Sequence, residues 1–163
     1  MKKILGIIII SLLISNSSYA AKQCTAEDEA YVIEMNSDDY GTKVSTQEAY
    51  EFGLSIINAV KEKNLDKLMS YITHKKSFTT SNKDLDIENY KEKKFENIFS
   101  KEWISLIVDS SPMCRSMGYK GWMLGSGMIW YQYSRDLVEK NEDEPWKNKY
   151  KNKSLTISHI NNP

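Results

Sequence analysis

STQEAYEFGLSIINAVKEKNLDKLMSYI, residues 45–72, predicts a long helix followed by a short one. Ser45 and Glu48 have the spacing of a capping box, in which each side chain can satisfy a free backbone N–H at a helix start. Asn64 interrupts the pattern and can cap the second helix. Apolar residues spaced three and four apart predict the buried face of the two helices. They are Ala49, Phe52, Gly53, Ile56, Ile57 and Val60 in the first, then Leu65, Leu68, Met69 and Ile72 in the second.

The segments on either side of this stretch carry weaker signals. Residues 25–35 look like a mixed polar segment with a short apolar patch, and residues 36–41 look like a turn. Residues 73–85 predict a loop, and residues 87–99 predict another amphipathic helix. Ser100 can cap a further helix, which ends before Pro112 because proline disfavours a helical residue before it.

After Cys114 the sequence changes from helical to strand-like. Residues 119–133 are rich in aromatic and β-prone residues and are interrupted by glycines. Two arrangements fit: Gly125 and Ser126 form a hairpin turn, or one long strand bends there. Residues 155–160 predict a closing strand. Helices first and a sheet afterwards indicate an α+β fold, with N-terminal helices packed on a curved antiparallel sheet.

Three stretches resemble the NTF2-like superfamily. Residues 56–72 resemble its opening helical hairpin, residues 121–131 look like a sheet segment of its small exported members, and residues 155–161 are similar to its last strand. The resemblance implies a cone-like fold with a pocket between sheet and helices. Members include isomerases, dehydratases and binding modules, so this fold alone does not select a function. The active-site residues of the enzymatic members do not map onto identifiable positions here.

The N-terminus has the layout of a cleaved export signal. Lys2 and Lys3 precede an apolar run over residues 4–14, and a small-polar stretch ends at Ala20. The sequence therefore predicts a signal peptide at 1–20 and a single α+β domain at 21–163, in a periplasmic or secreted protein. The apolar run is too short to cross a bilayer, which needs about 20 residues. We expect no transmembrane segment in the mature chain.

Cys24 and Cys114 are the only cysteines. In an oxidising compartment they can pair. A redox-active pair normally has much closer spacing, so the pair is predicted to be a structural disulfide that ties the N-terminal segment to the start of the sheet.

Charge and motifs exclude several classes of function. The chain carries 22 basic and 22 acidic residues, and loss of Lys2 and Lys3 with the leader leaves a net charge of −2, so no overall field attracts nucleic acid. With only His74 and His159 as histidines, no metal-ligand set is recognisable, and no cofactor motif is present. His159 is a weak catalytic candidate, as a general base facing a pocket. A histidine on a strand is more often a hydrogen-bonded neighbour.

Two groups of side chains are candidates for binding. On a concave sheet, an aromatic group could line a ligand pocket, although such residues more often fill the core; it comprises Trp122, Trp130, Tyr131 and Tyr133. The second group lies in a charged insertion, residues 134–153, and could meet a partner or protect an edge strand. It comprises Trp146, Lys147, Lys149, Lys151 and Lys153.

These features favour a binding protein over an enzyme. The first hypothesis is a small exported protein of the immunity or inhibitor type, whose partner is another envelope or secreted protein. The alternative is an NTF2-like pocket enzyme of the isomerase or dehydratase type, acting on a small apolar ligand. The sequence gives no indication of oligomeric state.

Overall fold

A computed structural model describes residues 23–40, 45–73, 75, 78–139, 142–143 and 149–162. The predicted signal peptide and His74 lie outside these residues. The described helices are α1 (Ala26–Tyr40), α2 (Thr46–Lys61), α3 (Leu65–Ser70), α4 (Phe95–Ile98) and α5 (Lys101–Val108). The described strands are β1 (Thr79–Thr80), β2 (Trp122–Leu124), β3 (Ile129–Glu139) and β4 (Lys149–Ile160). Among the described helices, none is both long and apolar enough to cross a membrane.

The helices begin where the sequence supplies a cap. Ser45, Asn64 and Ser100 each accept a hydrogen bond from the backbone N–H three residues later, at the starts of α2, α3 and α5. The predicted helix over 87–99 is wrong in extent: a 3-10 turn, Tyr90–Glu92, precedes the short α4.

Helix α1 corrects a second expectation. The segment interpreted as polar chain and turn is a helix through Tyr40. Thr25 and Asp28 form a capping box, because the Thr25 N–H donates to Asp28 Oδ2 (3.0 Å) and the Asp28 N–H donates to Thr25 Oγ1 (3.2 Å).

The four described strands form a mixed sheet in the order β1-β4-β3-β2. The α+β fold is confirmed. The sheet is not wholly antiparallel, because the two-residue β1 pairs in parallel with the end of β4. Between β2 and β3 the hairpin alternative is the one observed: Leu124 pairs with Ile129 across a turn in which Gly125, Ser126 and Gly127 all have positive φ.

The core lies between the helices and one face of the sheet. From the sheet it receives Trp122, Leu124, Ile129, Tyr131, Tyr133, Ile157 and Ile160. From the helical side it receives chiefly the predicted stripe of α2 and α3, with Phe99 and Trp103 stacked at 4.1 Å between ring centres. The two apolar stripes were therefore correctly identified as buried, apart from the partly exposed Phe52.

Cys24 and Cys114 form the predicted disulfide, with 5.5 Å between their Cα atoms. Closing a loop of this length stabilises the fold by about 4–5 kcal/mol in the chain-entropy description. The bond attaches the residue before the α1 cap to the segment that leads into the sheet.

Gly53 allows α2 to approach the sheet closely. A Cβ at this position would lie 2.6 Å from Tyr131 Oη and 2.8 Å from Pro112 Cβ. We expect Gly53→Ala to destabilise the protein by about 1–2 kcal/mol in urea unfolding, because overpacking outweighs the gain in helix propensity. Asn58→Ala, at an exposed position of the same helix, is the control and should change stability by less than about 0.5 kcal/mol. Equal stability of the two variants would contradict the close approach.

Candidate functional site

The four aromatic residues considered as a pocket do not lie together. Successive strand residues point to opposite faces of a sheet. Trp122, Tyr131 and Tyr133 therefore enter the core, where they are at most 6 % exposed, while Trp130 lies on the opposite face and is half-buried. The Trp122 and Tyr131 rings stack with 6.1 Å between their centres. Three of the four are packed core residues.

Tyr133 completes the start of α2. Its hydroxyl accepts a hydrogen bond from the Ser45 N–H (3.1 Å) and donates one to Glu48 Oε2 (3.1 Å). In the predicted capping box, the Glu48 carboxylate would bond the Ser45 N–H directly. The strand hydroxyl is inserted between them instead. Burial raises the pKa of Tyr133 to about 12.

The Tyr131 hydroxyl, unlike that of Tyr133, is buried without a hydrogen-bond partner among the described residues. The whole residue is fully buried. Burial raises the pKa of this hydroxyl above its ordinary value. The two tyrosines share one face of one strand, yet only Tyr133 has a partnered hydroxyl.

His159 lies on the outer face of the sheet, away from the core aromatics. Register places Met123, Trp130, His159 and Thr79 side by side across all four strands. The His159 Nδ1 atom is 2.5 Å from Thr79 Oγ1. No carboxylate of the described residues lies within ion-pair distance of the ring. The geometry gives His159 a hydroxyl neighbour and no orienting acid.

The charged insertion is largely a two-stranded ribbon. Register places Glu139 opposite Lys149 and Asp136 opposite Lys151. The register thus sets acidic positions of one strand opposite basic positions of the other. Lys153 lies in β4 as well, whereas Trp146 and Lys147 lie outside the described residues.

A different surface carries the exposed apolar residues. The exposed large hydrophobic side chains include Tyr31 (37 % exposed), Met35 (54 %), Met117 (47 %) and Tyr119 (65 %). Tyr31 and Met35 are one turn apart on α1, and the 3-10 turn Gly118–Lys120 packs against this helix. We call the surface formed by Tyr31, Met35, Arg115, Met117 and Tyr119 the docking face.

Arg115 joins the two parts of the docking face. Its guanidinium carbon lies 4.9 Å from the centre of the Tyr31 ring, and its Nε donates to Asp28 Oδ1 at 2.8 Å. Lys120 extends the surface toward the outer face of the sheet, since its Nζ is 5.9 Å from the centres of both the Tyr119 and Trp130 rings. Aromatic rings and cations thus alternate from α1 to the sheet.

The helix that contributes Tyr31 and Met35 has a one-sided composition. Residues 26–40 contain Glu27, Asp28, Glu29, Glu34, Asp38 and Asp39 and no Lys, Arg or His. Among its described side chains, residues 26–35, only Val32 is buried. An acidic helix that exposes aromatic and aliphatic side chains is the element the sequence interpretation missed. The Thr25–Asp28 capping box was the available signal for it.

Other kinds of site find less support. Within the part of the chain that the structure describes, no group of three or more His, Cys, Asp or Glu is arranged to hold a metal ion. Three surface depressions of about 360, 490 and 390 Å³ are lined mainly by polar residues, and none includes a docking-face residue or one of the four aromatics.

No protein-family model, curated protein or solved structure matches the chain. The resemblance to the NTF2-like superfamily therefore remains a prediction.

The two tyrosine hydroxyls of β3 give a matched pair of variants. We expect Tyr133→Phe to lower the free energy of unfolding by about 1–2 kcal/mol, because it breaks the connection to Ser45 and Glu48. Tyr131→Phe should be neutral or stabilising, because it removes a buried hydroxyl without a partner. Urea unfolding of both variants against the wild type measures the difference. Equal losses in both would contradict the hydrogen bonding described for the pair.

The attachment of α1 should weaken at acid pH. The Thr25 N–H, followed by Arg115 and the Thr25 hydroxyl, lowers the pKa of Asp28 from its ordinary 3.8 to about 2. The stabilisation by this carboxylate is therefore complete above about pH 4 and is lost as the pH falls toward 2. NMR titration of the Asp28 carboxyl carbon should give a midpoint near 2. Arg115→Gln should raise that midpoint only in part, and a midpoint near 3.8 in the wild type would contradict the assignment.

Proposed function

We propose that this chain is an exported binding protein that uses the docking face to bind a basic protein in the periplasm or outside the cell, in the manner of an immunity or inhibitor protein. The observation that carries the proposal is the exposure of Tyr31 and Met35 on α1, and of Met117 and Tyr119 in the segment that packs against α1, with Arg115 over the Tyr31 ring. Soluble chains rarely expose neighbouring large apolar side chains unless the surface binds something.

The composition of the face fits a protein partner. Tyrosine, methionine and arginine are enriched in the buried centres of protein interfaces, and a few such residues usually supply most of the binding energy. Small molecules usually bind in a cleft, and none of the three depressions described above includes a residue of the docking face.

The charge around the docking face indicates the sign of the partner's charge. On the α1 side of the face, the helix contains six acidic residues and no basic residue, and Arg115 is bonded to Asp28 and Glu27; Lys120 is the cation at the opposite side, beside Tyr119. A partner with basic side chains around an apolar centre would complement this surface and would be steered toward it electrostatically. An inhibitor that covers a basic site of a toxin or hydrolase would need such an acidic surface around an apolar centre.

The enzyme alternative gains no support from a specific observation. A pocket enzyme needs a polar group among the core aromatics, and His159 lies on the opposite face of the sheet from Trp122, Tyr131 and Tyr133. Among the described residues, the polar groups of these three core aromatics are two tyrosine hydroxyls and the Trp122 indole N–H, which donates to the Cys114 carbonyl.

The proposal is tested by photo-cross-linking with the whole chain. We place benzoylphenylalanine at Met117 and expose the protein to the envelope and secreted fractions of the cell that produces it. A cross-linked basic protein, identified by mass spectrometry, is expected. Its affinity for the purified wild-type chain should fall as ionic strength rises, because exposed charges are screened.

Two variants locate the binding surface. Tyr31→Ser combined with Tyr119→Ser should weaken binding of the cross-linked protein at least 30-fold, or about 2 kcal/mol, as expected for interface hot spots. Leu106→Ser is the matched control, because Leu106 is also half-exposed but lies on α5, outside the docking face. Benzoylphenylalanine placed at Leu106 should not capture the partner. Equal cross-linking from Leu106 and Met117, or unchanged affinity of the double variant, would overturn the proposal.

A further inference from the structure

We infer that the Cys24–Cys114 disulfide controls the docking face: reduction releases α1 while the rest of the fold stays intact, and partner binding is lost. This inference rests on the proposed function for its consequence, although the structural change can be measured without a partner.

The disulfide joins the chain just before each of the two parts of the docking face. Cys24 precedes Thr25, the cap of α1, and Cys114 precedes Arg115. Tyr31 and Met35 therefore follow one cysteine of the disulfide in the chain. Arg115, Met117 and Tyr119 follow the other. The parts are some eighty residues apart in sequence, so their proximity is maintained by tertiary attachment alone.

Helix α1 also contacts α2, β4 and the 3-10 turn Gly118–Lys120. Of its described side chains, residues 26–35, only Val32 is buried, and the Arg115–Asp28 ion pair lies at the surface. The Cys24 N–H also donates to Gln47 Oε1 at 2.8 Å. A helix of this length is marginal in water without tertiary packing, so loss of the covalent attachment leaves it dependent on these non-covalent contacts and on the buried Val32.

Among its described side chains, α1 contributes only Val32 to the core. Apart from Val32, the core cluster comes from residues 49–160. The Cys114 end is also fixed independently, because the Trp122 Nε1–H donates to the Cys114 carbonyl at 3.2 Å and Trp122 is fully buried. Reduction therefore frees the Cys24 end and leaves residues 114–120 on the sheet.

The chemical step requires a dithiol reductant. Cys24 is partly exposed while Cys114 is buried, so a reductant thiolate reaches the Cys24 sulfur first. A mixed disulfide forms at Cys24, and Cys114 leaves as a thiolate and takes up a proton. The second thiol of the reductant then attacks the reductant sulfur that is bonded to Cys24. The dithiol leaves as a cyclic disulfide, and Cys24 becomes a thiol. Two electrons and two protons pass from the dithiol to the cysteines.

Hydrogen exchange of the oxidised and dithiothreitol-reduced chain tests the structural step. We expect amide protection of residues 26–35 to fall at least tenfold on reduction, while protection in α2 and β3 changes less than twofold. The Cys24→Ser, Cys114→Ser double variant should match the reduced protein, and reoxidation of the wild type should restore protection. Retained protection of α1, or loss of protection throughout the chain, would overturn the inference.

Cross-linking from Met117 in both redox states separates this inference from the proposed function. Cross-linking in the oxidised state that falls at least tenfold on reduction supports both. Equal cross-linking in both states overturns control by the disulfide and leaves the binding function standing. If α1 is released on reduction but no partner is captured in the oxidised state, the proposed function and the loss of binding inferred from it fail together.

Discussion

The two-residue period of β3 is the constraint on which the arrangement of the molecule depends. Ile129, Tyr131 and Tyr133 face the helices, and Trp130 and Gln132 face the other way. This alternation directs Tyr131 against Gly53 of α2 and Tyr133 against the start of the same helix. It also brings Trp130 to the outer face, beside Lys120. The core and the surface beside the docking face are thus set by one strand.

Helix α1 stands outside this arrangement. Its capping box forms locally, its composition offers no apolar stripe to the core, and among its described side chains only Val32 is buried; the disulfide and the Arg115–Asp28 ion pair attach it as well. An element attached in this way leaves its aromatic and aliphatic side chains in solvent. The weak packing of α1 and the exposure of the docking face therefore have the same origin.

The sequence predicts the features that depend on local chemistry. Ser45, Asn64 and Ser100 are recognisable caps because a cap requires only its own residue and the next turn. The apolar stripes of α2 and α3 are recognisable because burial follows the helical period. Even α1 carries a local signal at Thr25 and Asp28, but without apolar periodicity the helix could not be told from polar chain.

What the sequence leaves undetermined depends on register and on distant partners. The pairing of Asp136 with Lys151 requires the register of β3 and β4, which bulges shift at three points. The parallel β1 is only two residues long and carries no strand pattern of its own. The docking face joins residues far apart in the chain, so no motif could mark it. Of the candidate site residues, the cysteine pair was predictable because only two cysteines exist.

The hydroxyl that β3 supplies to the start of α2 has a consequence for cooperativity. A helix whose cap is complete within its own sequence can form its first turn alone. Here that turn acquires its full set of partners only once Tyr133 has docked, from 88 residues further along the chain. We therefore expect fraying at the beginning of α2 to be coupled to opening of the strand beside it, so that amide hydrogens in the two segments exchange together.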